Sequence, residues 1–327
     1  MSQQIIDQIF TRPELRERPP VLVDIGASGF VHAAWRSFAR YSVCLAFDAD
    51  EREMGYVEKE TATFRKLYVF NSLISDEGRE DSARPFYLTR SPYCSSLLRP
   101  REGELESKWI FADLFAVERE VRLRTRTLAS VLREVGLDRI DWFKTDSQGI
   151  DLRIFASLGE SATRNVLAAE FEPGIIGAYH GEDKLWSLMA HMDKLPFWMA
   201  DMQLHGTQRI RKVTVDARFD SYVAQRLPRL LRTSPGWAEV LYLNDFVEGN
   251  SFTTREYLLG WVFAYVQEQF GFALELAERA STRFGDRFFD LLAEEAAAGI
   301  TRSLYNLPIA RIRSLLLRLL AKLERHG

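Results

Sequence analysis

Val21–Gly29, VLVDIGASG, constrains this chain more than any other stretch. An apolar run with β-branched residues turns small and polar at Asp24–Gly29, and a helix-compatible segment, His32–Arg40, follows. A buried strand that ends in a glycine turn and opens into a helix is the first βα unit of a nucleotide-binding sheet. The glycines let the backbone bend sharply and approach a ligand with no Cβ in the way. The N–H groups beyond them offer a weak positive pole. A second apolar strand, Val43–Asp48, ends in an acid roughly 20 residues past the turn, where a carboxylate grips ribose hydroxyls. Such junctions also arise from packing alone, and it is Asp48 that tilts this one toward a ligand.

The rest of the chain alternates. Strands are expected at Phe64–Ser75 (ending at Asn71-Ser72), Pro85–Thr89, Val121–Thr127, Ile140–Thr145, Val166–Phe171, Phe197–Leu204 and Val240–Leu243. Helices are expected at Met54–Thr61, Leu128–Val135 (closed by Gly136), Asp151–Leu158 and Glu182–Leu195. Strands separated by helices build a mostly parallel sheet covered on both faces. The last two strands lack a crossover helix, which predicts one antiparallel strand at the edge. From Thr254 the pattern becomes helical, with Arg255–Gln269, Ala273–Phe284, Phe288–Ala298 and a basic amphipathic tail, Ile309–Arg325. The expected organisation is an N-terminal arm (1–20), an α/β domain (21–250) and a helical extension (251–327).

Composition narrows the partners. A net charge of -3 gives no general argument for nucleic-acid binding. Two cysteines, Cys44 and Cys94, are too few for a disulfide framework or a cysteine metal site, and they suit a reducing compartment. The N-terminal residues lack the pattern of a secretory signal, and no run approaches the roughly 18 apolar residues of a membrane span. A cytoplasmic location is the expectation. The tail's leucines are expected to dock on the helical region or a second copy of the chain. Peripheral contact with an anionic membrane face is the other use of such a helix.

In doubly wound sheets ligands sit outside the carboxyl ends of the strands. The polar residues that fall there are Asp24, Asp48, Asn71, Asp146 and Glu170 or Glu172. The segment IDWFKTDSQGIDLRIF, residues 140–155, resembles the hallmark of FkbM-type methyltransferases, K-[IL]-D-x-[EQ]-G followed by an acid and an apolar helix. Lys144, Asp146, Gln148, Gly149 and Asp151 fill those places. Other pieces agree in order: VDIGASG, FDAD at 47–50, NSLISDEG at 71–78, SSLL at 95–98, RTRTLASVL at 124–132 and AAEFEP at 168–173. Two departures stand out: Phe30 where a glycine is more usual, and Asp48 for a more common Glu.

The resemblance implies a Rossmann-like, seven-stranded class I methyltransferase sheet and methyl transfer from S-adenosylmethionine. The expected acceptor is a hydroxyl on a sugar, a glycan-linked group or another small molecule. Asp24, Gly26, Ala27, Ser28, Gly29, Asp48, Asn71 and Ser72 are the expected cofactor contacts. Asp146 is the candidate base or hydroxyl-orienting group, with Glu170 as its neighbour. Lys144, two residues before Asp146 and facing the same side, pairs with a carboxylate of the site. Gln148, Glu172, His180 and Ser96 are assigned to the acceptor side, and His32 to capping a helix. Two close carboxylates share a proton or hold a divalent cation such as Mg²⁺. No dedicated metal motif is present, and no metal is expected. Two alternatives use the same residues: a non-catalytic scaffold that kept the fold, and an NAD-dependent oxidoreductase built on the glycine turn and Asp48.

Overall fold

The protein is described by a computed structural model covering residues 3–27, 31–50, 52, 63–76, 83–247, 251–303 and 312. It divides into two units, residues 10–250 and residues 1–9 with 251–327. Strands of the first unit are β1 (Val21–Ile25), β2 (Val43–Phe47), β3 (Lys66–Phe70), β4 (Leu73–Ile74), β5 (Ala83–Thr89), β6 (Val117–Arg126), β7 (Trp142–Thr145), β8 (Ala168–Phe171), β9 (Phe197–Gln208) and β10 (Thr233–Asn244). Seven form one sheet in the order β3-β2-β1-β7-β8-β10-β9. The first five of that order are parallel, and β10 runs antiparallel to both of its neighbours. The reversed strand therefore lies one place in from the edge, which corrects the expectation of an antiparallel edge strand. After β9 the chain turns through short helices (Lys212–Arg218, Ser221–Ala224, Leu227–Leu230) and slots back between β8 and β9. There β10 finds a hydrogen-bonding partner on each side.

Strands covered on both faces read as unbroken apolar runs, and β1 and β2 are buried throughout. Alternate residues still choose opposite faces. Val21, Val23, Ile25, Val43, Leu45, Phe47, Phe143 and Phe171 make one layer, closed by the helices Leu128–Val135 and Asp151–Ala156. Phe155 sits 5.1 Å from Phe143 and 5.3 Å from Phe171, ring to ring. Leu128–Val135 carries the caps its sequence announces: Thr127 accepts from Ser130 N–H, and Gly136 closes the end at φ 73°.

The opposite face is covered by residues 31–41. Here the expected helix His32–Arg40 is instead two 3₁₀ turns, Ala33–Trp35 and Ala39–Tyr41. Successive bonds step by three residues, from Trp35 N–H to His32, Phe38 N–H to Trp35 and Tyr41 N–H to Phe38. That step stacks Trp35 and Phe38 on one side, and both rings pack on Trp142 at 6.0 and 6.5 Å.

On this face lies a charged row. The register aligns Asp24 of β1, Lys144 of β7 and Glu170 of β8. Lys144 Nζ donates to Asp24 Oδ1 at 2.8 Å, and His32 Nε2 reaches Glu170 Oε1 at 3.1 Å. Burial opposes the charge on Lys144, but the carboxylates of Asp24 and Glu170 outweigh it and raise its pKa. For Glu170 burial is likewise outweighed, first by His32 and then by Lys144, so its pKa is lowered.

A second sheet, β4-β6-β5, stands beside the first. The connection between β5 and β6, residues 90–116, is pinned by Arg90 N–H to Ala116 and Ser91 N–H to Leu114, and by Arg101 N–H to Ala178. The second unit holds the helices Thr254–Val266, Phe270–Phe284 and 288–303. A Thr253–Glu256 capping box opens the first, and Tyr265 packs edge-on to Phe270 at 4.9 Å. Among the described residues no helix is long and apolar enough to cross a membrane. The expected helix Met54–Thr61, Phe30 and all of the tail but Ile312 lie outside the described residues.

Removing one partner from a buried ion pair strands the other. Lys144→Met is expected to lower unfolding free energy by about 3–5 kcal/mol in urea titrations, and Asp24→Asn in the same chain to recover part of the loss. A loss under about 1 kcal/mol would mean that the row adds nothing to stability.

Candidate active site

The ends of β1 and β7 touch because residue 26 is a glycine. Gly26 has φ 78°, and a Cβ there would lie 2.3 Å from the Asp146 carbonyl oxygen. Gly26 and Ala27 N–H both donate to Phe47 O at 2.9 Å, which ties the turn to β2. A side chain at residue 26 would fill this cradle and separate the strands.

Beyond β7 the loop is wound around one carboxyl group. Asp151 Oδ1 accepts from Thr145 Oγ1 at 2.9 Å, Ser147 N at 2.9 Å and Ser147 Oγ at 3.0 Å. Burial, then the nearby charge of Asp146, push its pKa up to about 7 against these hydrogen bonds. The winding forces Gln148 to φ 56° and Gly149 to φ 115°. A positive φ is costly for glutamine, and such strain collects at functional positions.

The strained residue is fully engaged. Gln148 Nε2 donates to Asp146 Oδ1, and Gln148 Oε1 lies 2.8 Å from the Tyr179 hydroxyl. Ser96 Oγ donates to the Gln148 carbonyl at 2.8 Å. Glu172 is the other carboxyl beside Asp146. Burial pushes both carboxyls up, and Glu172 is raised further by the charge of Asp146 itself.

Two cavities meet at Asp146. The smaller, about 50 Å³, is lined by Gly26, Asp48, Asp50, Phe86, Pro92, Tyr93, Ser95, Asp146 and Gln148. Its wall is braced by Arg52, which bonds Asp50, Ser95 Oγ and the Thr89 carbonyl. Burial opposes ionisation of Asp50, and Arg52 outweighs it, holding that carboxyl below its usual range. The larger cavity, about 330 Å³, shares Tyr93, Asp146 and Gln148 and runs out between residues 91–115 and the ends of β9 and β10. Its far wall includes Trp109, Phe111, Phe115, Tyr179 and Trp237. The edge of the Trp109 ring abuts residue 236, where a Cβ would meet it at 2.6 Å.

Several expected residues therefore converge: Gly26, Asp48, Asp146, Gln148 and Glu172 line these cavities. Ala27 is buried beside the turn, while Ser28 and Gly29 fall outside the described residues. Asp24 and Lys144 are spent on each other. Glu170 is not the neighbour of Asp146; Glu172 is, because Glu170 is still within β8 and is held by His32 and Lys144. His32, expected as a cap, makes no side-chain cap bond. His180 is exposed and its neighbour Tyr179 lines the cavity in its place. Ser96 is a buried loop support, and Asn71 and Ser72 line neither cavity. The sequence reading missed Trp109, Tyr179 and Trp237. Glycines inside strands, Gly206 and Gly236, were the available signal for a close approach there. Cys94 also lines the larger cavity, with burial raising its thiol to about 12, which makes it a poor nucleophile. Among the described residues no group of three or more His, Cys, Asp or Glu is arranged to hold a metal ion.

Gly26 and Asp48 meet at the smaller cavity, outside the carboxyl ends of β1 and β2 where a doubly wound sheet takes its ligands. Asp151 gives a pH test of the loop that positions Asp146. Its pKa is raised in the folded chain, so its contribution to stability is full below about pH 4 and lost as pH rises to about 7. Asp151→Asn cannot titrate, and the Tm of the native protein is expected to fall relative to that variant between pH 4.5 and 7.5. A constant difference would mean that Asp151 is ionised throughout.

Comparison with curated proteins and with solved structures gives no match. Residues 90–203, the span that carries Lys144, Asp146, Gln148, Glu172 and Tyr179, match the family model described as the methyltransferase FkbM domain.

Proposed function

We propose that the chain is an S-adenosylmethionine-dependent O-methyltransferase acting on a hydroxyl of a small-molecule or glycan-linked acceptor. One observation carries this reading: a small recess lined by Gly26 and Asp48 and a larger aromatic cavity lined by Glu172 both open onto Asp146 at the strand tips. The match to the FkbM methyltransferase domain supports the class of reaction. The mostly parallel seven-stranded sheet agrees with a methyltransferase fold.

S-adenosylmethionine, when bound, supplies a methyl group already activated by its sulfonium. The chain's own task is alignment and proton acceptance. Gly26 and Asp48 line the donor recess, and Asp48 meets the ribose diol. Asp146 accepts the proton of the acceptor hydroxyl. Its raised pKa makes it a stronger base than an exposed aspartate, and Gln148 fixes its orientation. Tyr179 holds Gln148 in turn and is a positioning residue.

Asp48→Ala is expected to weaken S-adenosylmethionine binding about ten- to a hundredfold by calorimetry, the loss of charge-assisted hydrogen bonds. Asp146→Ala is expected to leave that affinity nearly unchanged and to abolish the gain of one CH₂ in mass spectra of extracts from cells expressing the protein. Equal loss of affinity in the two variants would move Asp146 into the donor site. No binding to the native chain would end the methyltransferase reading.

A further inference from the structure

We infer that the acceptor is a neutral, ring-bearing alcohol or phenol with an apolar body, carrying a second neutral polar group that meets Thr207. This rests on the larger cavity being the acceptor side of a methyltransferase. A cavity of about 330 Å³ is in the range of small-molecule sites. Its rings do not stack on one another. Trp109 is tilted 59° to Phe115 and 55° to Trp237, and Phe115 is tilted 60° to Tyr179. Tilted rings offer both faces and edges to a flat guest. The rim continues the apolar character, with Tyr93, Phe111 and Leu114 substantially exposed.

The polar inventory is short. Gln148 is occupied by Asp146 and Tyr179. Glu182 is occupied by Ala178 N–H, Tyr179 N–H and Lys184. Besides the hydroxyls of Ser91 and Tyr93 and the indole N–H groups of Trp109 and Trp237, two points remain for a ligand. One is the Asp146–Glu172 pair, where the reacting hydroxyl goes. The other is Thr207, only 4% exposed, whose Oγ1 is buried without a hydrogen-bond partner among the described residues. An unpartnered buried hydroxyl at a cavity wall costs free energy that a ligand can recover. A sugar would bury several hydroxyls against walls that are mostly aromatic. No lysine, arginine or histidine is among the described residues lining the cavity, and its floor carries the acidic pair. A carboxylate or phosphate beside the reacting oxygen would meet a like charge, with no cation among the residues lining the cavity.

Calorimetry on the full chain tests this with four probes: 2-naphthol, 2,6-dihydroxynaphthalene, 2-naphthoate and methyl α-glucoside, at pH 7. Expected are saturable heat with 2-naphthol, affinity at least about tenfold weaker for 2-naphthoate and no heat with the glucoside. The diol should bind more tightly than 2-naphthol, and Thr207→Val should erase that difference. Asp146→Asn should narrow the gap between naphthoate and naphthol. Circular dichroism melting shows that each variant is folded. Glucoside or naphthoate binding as well as naphthol does, or no probe binding, overturns the inference; a diol advantage that survives in Thr207→Val overturns its Thr207 half. S-adenosylmethionine is titrated separately. Naphthol binding without it removes the transferase reading alone, and its binding without naphthol removes this inference alone.

Discussion

Five carboxyl groups, Asp24, Asp146, Asp151, Glu170 and Glu172, crowd the ends of three neighbouring strands, and one buried ammonium makes the crowding tolerable. Lys144 is bonded to Asp24 and acts through its charge on Glu170 and Asp146. His32 adds a partner for Glu170. At the strand tips, burial and the neighbouring acids outweigh that ammonium, and the carboxyls of Glu172 and Asp151 are raised. Charge at the site is thus divided by position: acids on the face of the sheet are paired with cations, and acids at the strand tips are held toward their neutral form. Of the second group, Asp146 and Glu172 line the larger cavity, where a ligand can reach them.

That division depends on backbone geometry. Gly26 lets β1 and β7 close on each other, and Asp151 winds the following loop so that Gln148 is held at a positive φ beside Asp146. The connection 90–116 then closes over the tips, held by Arg101 N–H to Ala178 and His180 N–H to Arg99. One side of Asp146 is left to a small polar recess and the other to a larger aromatic one.

Much of this was legible in the sequence because its causes are local. β1 has the bounds its apolar run suggests, and Leu128–Val135 ends where Gly136 says it must. Segment 140–151 announced Asp146 and Gln148 through residue types at short spacing. What failed was non-local. His32–Arg40 has helix-compatible residues, and only packing against Trp142 selects the tighter 3₁₀ step. Glu170 and Glu172 are equivalent on paper, and the point at which β8 stops decides which one reaches Asp146. Trp109, Tyr179 and Trp237 come from three distant segments and meet only in the fold.

Strands β9 and β10 are much longer than β8, which pairs with β10 only through Val240–Leu243. The portion of β10 from Thr233 to Glu239 pairs with β9 on one side and is tied on the other to the segment after β8, through Ile175 and Ile176 N–H to Gly236 O and Ala238 N–H to Pro173 O; it carries Gly236 and Trp237. This doubly anchored ribbon walls the larger cavity and lines none of the smaller one. A change of side chain there reshapes the aromatic recess on a backbone held from both sides and leaves the recess beside Asp48 as it was.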